Sequence, residues 1–190
     1  MQRIRYTTSY PADVDDDLIA CHRDLPKLMP YLHLPIQSGS DSILKAMNRR
    51  HTSGQYLEII ERLREANPAL GFSSDFIVGF PGETDRDFEE SMEFIEKIGF
   101  SRIHVFQYSP RKGTPAAEKI QIPKDIKHKR AEQMKKLGDR LQREYLKKQV
   151  GKTVKVLFEL ESSPEFHQGY APDYTCLLYT SPSPRDRQKS

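Results

Sequence analysis

Residues 72–108 read FSSDFIVGFPGETDRDFEESMEFIEKIGFSRIHVFQY. A run rich in aromatic and β-branched residues, FSSDFIVGF at 72–80, stops at Pro81-Gly82-Glu83-Thr84. An acidic amphipathic segment follows over residues 85–98, with Phe88, Met92, Phe94, Ile95 and Ile98 supplying its apolar positions. Gly99 stands where a helix-terminating glycine is expected, and residues 103–108 (IHVFQY) then read as another strand. A connection of helical length cannot close a hairpin, so the two strands are predicted to be parallel with the helix crossing over one face.

Working outward, the same grammar repeats upstream. Residues 3–8 (RIRYTT) alternate like a strand, and residues 13–23 read as a helix with acids in its first turn. Residues 31–36 (YLHLPI) form a second strand, 42–47 begin a helix, and 56–66 (YLEIIERLREA) form another, stopped by Asn67-Pro68. The order β-α-β-α-β-α-β predicts an α/β fold of parallel strands with helices outside, either an open sheet or part of a barrel.

Downstream, the composition shifts at Pro123. Residues 124–149 hold ten Lys+Arg against four Asp+Glu, a local excess of +6, and read as one long basic helix with a sparse apolar face (Ile126, Met134, Leu137, Leu141, Tyr145, Leu146). After Gly151-Lys152, residues 153–160 (TVKVLFEL) alternate again, with Val154, Val156 and Phe158 on one side, and read as the first strand of a separate β-module. Residues 176–186 (CLLYTSPSPRD) resemble a translated sequencing adaptor, so 176–190 is expected to be a non-native tail; a Ser/Pro linker is the alternative.

Composition bounds the function. Of 190 residues, 36% are hydrophobic and 30% charged, and 30 Lys+Arg against 27 Asp+Glu leave only +3, too mixed for a disordered polyelectrolyte. No apolar run approaches the roughly 20 residues that span a bilayer, and the first residues lack a signal-like apolar region, so a cytoplasmic protein with no membrane partner is expected. Two cysteines, Cys21 and Cys176, exclude a disulfide framework and an all-cysteine metal site.

Candidate binding residues lie where strands end. At 32–41 (LHLPIQSGSD) an apolar strand runs into small polar residues, the edge at which parallel α/β folds place ligands. Gln37, Ser38 and Ser40 offer donors and acceptors there; a plain N-capped turn explains the same residues equally well. At 77–84 (IVGFPGET) the acids of the following helix argue against a phosphate, leaving an adenine or ribose site or a capped turn. Asp75, an acid in an otherwise apolar strand, is the best single candidate for a ligand contact, with a neighbouring Lys or Arg as the alternative partner. Arg111 and Lys112 sit on a stiff loop that suits an anion or simply solvent. His33, His51, His104 and His128 do not cluster in sequence, and no H-x₃-H or H-E-x-x-H spacing occurs, so no histidine-led metal site is expected.

The segments LHLPIQSGSD (32–41), LKAMNRRHT (44–52), SSDFIVGFPGET (73–84) and YSPRKGTPAA (108–117) together resemble the methylthiotransferases of the radical S-adenosylmethionine superfamily, in order and over residues 3 to about 170. The first half fits best the branch acting on isopentenyladenosine beside the tRNA anticodon. The second half is also similar to the branch acting on threonylcarbamoyladenosine, and a ribosomal-protein branch is less similar. The resemblance implies the later half of a partial (β/α)6 barrel over residues 1–122, a basic linker helix over 123–150 and a truncated TRAM β-module over 151–175. It implies S-adenosylmethionine as cofactor, with Gln37 and Ser38 near its methionyl or ribose part, Asp75, Ile77 and Gly79 backing the adenine and ribose, and Phe106 against the adenine. Asp75 stands at the first-glycine position of the family's G-x-I-x-G-x-x-E pattern and Glu83 falls one residue late.

The family's [4Fe–4S] clusters need cysteines in a C-x₃-C-x₂-C loop and an N-terminal triad, which this chain lacks. A fragment inactive by itself is therefore expected, its parent enzyme adding a methylthio group to carbon 2 of the adenosine through an adenosyl radical. The implied partner is the tRNA anticodon stem-loop, contacted through Lys127, Arg130 and Lys135; the sulfur donor is not indicated. A non-catalytic RNA-binding protein and an unrelated nucleotide-binding α/β enzyme are the readings from other classes.

Overall fold

The computed structural model describes residues 2–8, 10–161 and 166–180, which fall into two units divided between Lys148 and Gln149. In the first unit the order is α1 (Asp16–Asp24), β1 (Tyr31–His33), α2 (Asp41–Ala46), α3 (Ser53–Ala66), β2 (Gly71–Val78), α4 (Asp85–Ile98), β3 (Arg102–Gln107) and α5 (Lys124–Lys147). The three strands form one parallel sheet in the order β1-β2-β3, as the crossover lengths require. Helix starts follow from their caps: Asp15 accepts from the Leu18 amide, and Thr52 and Thr84 form capping boxes with Gln55 and Asp87. Gly99, at φ +64°, ends α4 in the left-handed conformation.

The fourth strand expected at residues 3–8 does not form. Ile4 makes a single parallel bridge to Leu28, with Ile4 N donating to Lys27 O and Met29 N to Ile4 O. Pro26 and Pro30 flank that bridge, and neither has an amide hydrogen with which to extend the ladder. Strand β1 is likewise shorter than residues 31–36 because Pro35 interrupts it, and the backbone regains β2 only through the bridge of Gln37 to Phe76.

Strand alternation divides the sheet into two unlike faces. Leu32, Phe72, Phe76 and Val78 are buried beneath the helices, joined by Tyr56, Ile60 and Leu63 of α3 and by Phe94, Ile95 and Ile98 of α4. Tyr56 is fully buried; its hydroxyl donates to Leu34 O at 2.8 Å, and burial pushes the phenol pKa well up. The opposite face carries Tyr31, His33, Ser73, Asp75, Ile77, His104 and Phe106, with Asp75 registered to His104 and Ile77 to Phe106.

Helix α5, expected as a linker, belongs to the first unit. Ala131, Met134, Leu137 and Leu141 enter the same core. Gly138 permits its close approach, because a Cβ there would lie 2.6 Å from Ile103 Cγ1.

The second unit is an antiparallel meander of β4 (Leu157–Glu161), β5 (Phe166–Tyr170) and β6 (Cys176–Thr180). The strand expected from residue 153 begins instead at Leu157, which pairs with Tyr170; the next residue after β5, Ala171, gives its amide to Thr175 O at 2.9 Å in the turn toward β6, and Pro172 beyond it cannot donate. The first five residues of the segment likened to an adaptor form β6 and pair along β5. The rest of that segment, 181–190, lies outside the described residues.

Candidate functional site

The C-terminal ends of the three strands open into a cavity of about 740 Å³. Gln37, Asp75, Ile77 and Phe106 line it, together with Arg49 and Arg111. Parallel strands deliver their loops to one edge, so residues far apart in sequence meet there. Gln37 is held at φ +82°, an uncommon conformation for a residue with a side chain, by hydrogen bonds on both sides: its amide donates to Asp75 O at 3.0 Å, and its carbonyl accepts from Ile77 N at 2.9 Å. The Phe106 ring is half exposed at the wall of the cavity, a flat apolar surface available for stacking.

Four of the residues assigned to the cofactor, Gln37, Asp75, Ile77 and Phe106, thus converge. Ser38 and Gly79, expected beside the cofactor, do not line the cavity. Ser38 is buried: its hydroxyl lies 3.2 Å from Ser91 Oγ of α4 and accepts from the Ser40 amide. It braces the turn rather than facing a ligand. Gly79, at φ +71°, makes room for a side chain, since a Cβ would meet Lys127 Cγ at 2.3 Å.

Glu83, one residue away from the family position, has a structural task. Its carboxylate accepts from the Gly79 amide at 2.8 Å and from Arg130 Nη1 at 2.6 Å, with both side chains at least nine-tenths buried. Burial pushes the Glu83 pKa up, while the Gly79 amide and Arg130 pull it back. Arg130 also donates to Asp85 at 2.7 Å and lies over the Phe88 ring. Lys127 Nζ donates to Tyr108 O at 3.0 Å and its stem is buried. Lys127 and Arg130 therefore cannot serve as surface phosphate contacts: they face the sheet and clamp α5 to the loop after β2. Lys135 does lie on the exposed side of α5, with Lys129 and Lys136.

Arg111 reaches the cavity, as a loop cation near an anion would. Arg49 was not singled out from the sequence; the turn after α2, with Asn48 at φ +59°, brings it there. The expectation that the histidines stand apart fails for His33 and His104. Their rings are 5.9 Å apart on neighbouring strands of the open face, with Asp75 Oδ1 3.6 Å from His33 Nε2. Spacing rules written for a single helix cannot detect ligands contributed by adjacent strands. Burial, then Arg102, holds the His104 pKa below its ordinary value; Asp75 opposes this and His33 adds to it.

The donor set does not fit an iron–sulfur cluster. Cys21 is half-buried in α1 and Cys176 is exposed in the other unit, and such clusters need several convergent thiolates. It does fit an adenosyl ligand, through an aromatic wall, an amide, a carboxylate and two guanidinium groups. No helix among the described residues is long and apolar enough to cross a membrane.

Residues 2–95 match the family model described as Radical SAM superfamily. The chain is 54% identical over 159 residues to the tRNA-2-methylthio-N(6)-dimethylallyladenosine synthase of Wolbachia pipientis wMel, covering 83% of this chain and 36% of that protein. The synthase of the same name from Agrobacterium fabrum (strain C58 / ATCC 33970) is 54% identical over 160 residues, covering 84% and 35%. The chain thus spans little more than a third of the length of these two relatives. Among solved structures, coproporphyrinogen III oxidase (HemN) from Escherichia coli, a Radical SAM enzyme, superposes with a TM-score of 0.57 at 17% identity over 69% of this chain and 31% of that one. The archaeal Methanocaldococcus infernus Elp3 with an N-terminal deletion superposes at 0.53 and 12% identity over 90% and 52%. These two likenesses speak to fold alone; the sequence matches carry the conclusion that residues 2–95 belong to the radical S-adenosylmethionine superfamily, the chain's sequence similarity running to the tRNA-2-methylthio-N(6)-dimethylallyladenosine synthases.

Proposed function

We propose that this chain supplies the adenosyl-binding part of a cytoplasmic tRNA methylthiotransferase, which adds a methylthio group to carbon 2 of isopentenyladenosine beside the anticodon. The observation that carries this reading is the 54% identity to two synthases named for that modification, across the segments that build the cavity. It favours the isopentenyl (dimethylallyl) branch over the threonylcarbamoyl and ribosomal-protein branches. S-adenosylmethionine, when bound, supplies the methyl group and the adenosyl group of the radical chemistry.

The chain's own residues would bind and orient it. Phe106 offers a stacking surface for the adenine, worth about 1–3 kcal/mol per base in comparable sites. Gln37 and Asp75 offer hydrogen bonds to hydroxyl or amino groups, and Arg49 and Arg111 suit a carboxylate or an RNA phosphate at the rim. The exposed cations of α5, Lys129, Lys135 and Lys136, would track the anticodon stem-loop. The cysteines present hold no cluster, so the iron–sulfur chemistry of the parent enzyme is not assigned to this chain.

The test is a chimera in which residues 2–160 replace the matching segment of the Agrobacterium fabrum synthase. Nucleoside mass spectrometry of tRNA from a host lacking the native enzyme should show the 2-methylthio product. A well-expressed chimera that binds S-adenosylmethionine yet leaves isopentenyladenosine unmodified would reject the substrate assignment.

A further inference from the structure

We infer that His33, Asp75 and His104, on the open face of the sheet, form a binding site for one divalent first-row transition-metal ion. The ligand atoms of the three, two imidazole nitrogens and one carboxylate oxygen, all lie within 4.8 Å of one another. Each comes from a different strand, fixed by parallel register: His33 opposite Ser73, and Asp75 opposite His104. The site shares Asp75 with the adenosyl cavity, but metal binding is measured without S-adenosylmethionine or tRNA, so its failure is distinguishable from failure of the methylthiotransferase reading.

The hydrogen bonding around His33 accommodates a cation. Ser73, fully buried, accepts from the Tyr31 hydroxyl at 2.6 Å and lies 2.8 Å from His33 Nδ1. In the tautomer that a bound ion selects, Nδ1–H donates to Ser73 and the Nε2 lone pair faces Asp75. The Nε2 to Oδ1 distance of 3.6 Å is too long for a hydrogen bond. A lone pair and a carboxylate that face each other across such a gap can share one cation placed between them. Two ligands bonded at about 2.0–2.2 Å to one tetrahedral ion sit roughly 3.3–3.6 Å apart, so that pair is already at coordinating distance. His104, partly exposed on β3, must draw in by about 1 Å through a side-chain rotation.

The arrangement also has the support that metal sites use. A ligating imidazole ordinarily donates its other N–H to a fixed acceptor, which Ser73 provides, and that acceptor is in turn held by Tyr31. Two imidazoles and one carboxylate suit Zn(II), Fe(II) or Co(II) over Mg(II) or Ca(II), which prefer all-oxygen sites. Three protein ligands leave further positions for water or a ligand group, and Asp75 carries the site to the cavity lining.

The experiment titrates the metal-stripped 190-residue chain with Zn(II) by calorimetry and with Co(II) by visible absorption. The expected result is one ion per chain and cobalt d–d bands of a four- or five-coordinate nitrogen–oxygen site. His33→Gln, Asp75→Asn and His104→Gln should each weaken binding at least about tenfold, and Ser73→Ala by about ten- to a hundredfold. His128→Gln, on the exposed side of α5, should leave it unchanged. Circular dichroism of each variant separates lost binding from lost folding. If the ligand variants unfold, the cobalt spectrum of the unmodified chain still decides. No binding, thiolate-to-cobalt charge transfer, or affinity that survives the ligand substitutions would each overturn the proposal.

Discussion

Replacing Arg130 with Met tests whether the clamp between α5 and the loop after β2 holds the fold. The substitution keeps an apolar stem of similar length but removes hydrogen bonds to the Glu83 carboxylate (2.6 Å), the Glu83 carbonyl (3.2 Å) and Asp85 (2.7 Å). The Glu83 side chain is 3% exposed and would keep only the Gly79 amide as partner among the contacts described above. Breaking a buried ion pair from one side costs about 3–5 kcal/mol, chiefly through the charge left behind. That is a large share of the roughly 5–15 kcal/mol that holds a domain folded. The cost depends on pH in a determined direction. Burial already raises the Glu83 pKa in the folded chain, and losing Arg130 raises it further, so protonation relieves the folded state more than the unfolded one. Stability of the variant should therefore be favoured below the unfolded carboxylate pKa and lost as pH rises through the folded value. Urea unfolding followed by circular dichroism should show a larger penalty at neutral pH than near pH 4.5, roughly the carboxylate range. Adding Glu83→Gln to Arg130→Met should recover part of it. A penalty under about 1 kcal/mol, the range of a solvated surface pair, would refute the reasoning.

Asp87 should dominate the acid limb of stability. Burial alone would raise its pKa, but hydrogen bonds from Ser42, the Thr84 side chain and amide, and Ser40 outweigh that and lower it from 3.8 to about 2. Its contribution, on the order of 2 kcal/mol, is present above the unfolded pKa and lost as pH falls toward the folded one; Asp87→Asn should flatten that limb in acid titrations. Gln37→Gly should raise the urea midpoint by relieving the positive φ, worth about 1 kcal/mol, while weakening S-adenosylmethionine binding in equilibrium dialysis; a lower midpoint would contradict the strain. Changing Lys129, Lys135 and Lys136 together to Gln should weaken tRNA binding and reduce its log–log salt slope by about 0.9 per lost phosphate contact, with melting unaffected. Lys127→Gln should do the reverse.

The sequence carried the layering because helix and strand periods are local properties. Residues 85–98 were bounded to the residue by the Thr84 cap and Gly99. Gln37 and Asp75 were also legible from their places on the strands, whereas Ile77 and Phe106 were named only through the family resemblance. What was not legible depends on which side of an element faces in. Lys127 and Arg130 look like members of a basic surface until α5 is docked, when one stripe of its charge turns toward Glu83 and Tyr108. His33 and His104 are 71 positions apart, and only the register of β1, β2 and β3 makes them neighbours. The failed strand at residues 3–8 had the right alternation but the wrong partner, one interrupted by prolines.

The two faces of the sheet also separate what can change from what cannot. In β2, Phe72, Phe76 and Val78 are locked under helices, whereas Asp75 and Ile77 look into open space. Substitutions at the second set alter chemistry at a smaller toll on folding, because these half-buried side chains lie outside the packed core. Heritable variation can thus explore new ligands through Asp75, Ile77, His104 and Phe106 while the layer behind them stays constant, and the scaffold is evolvable on one side and conservative on the other.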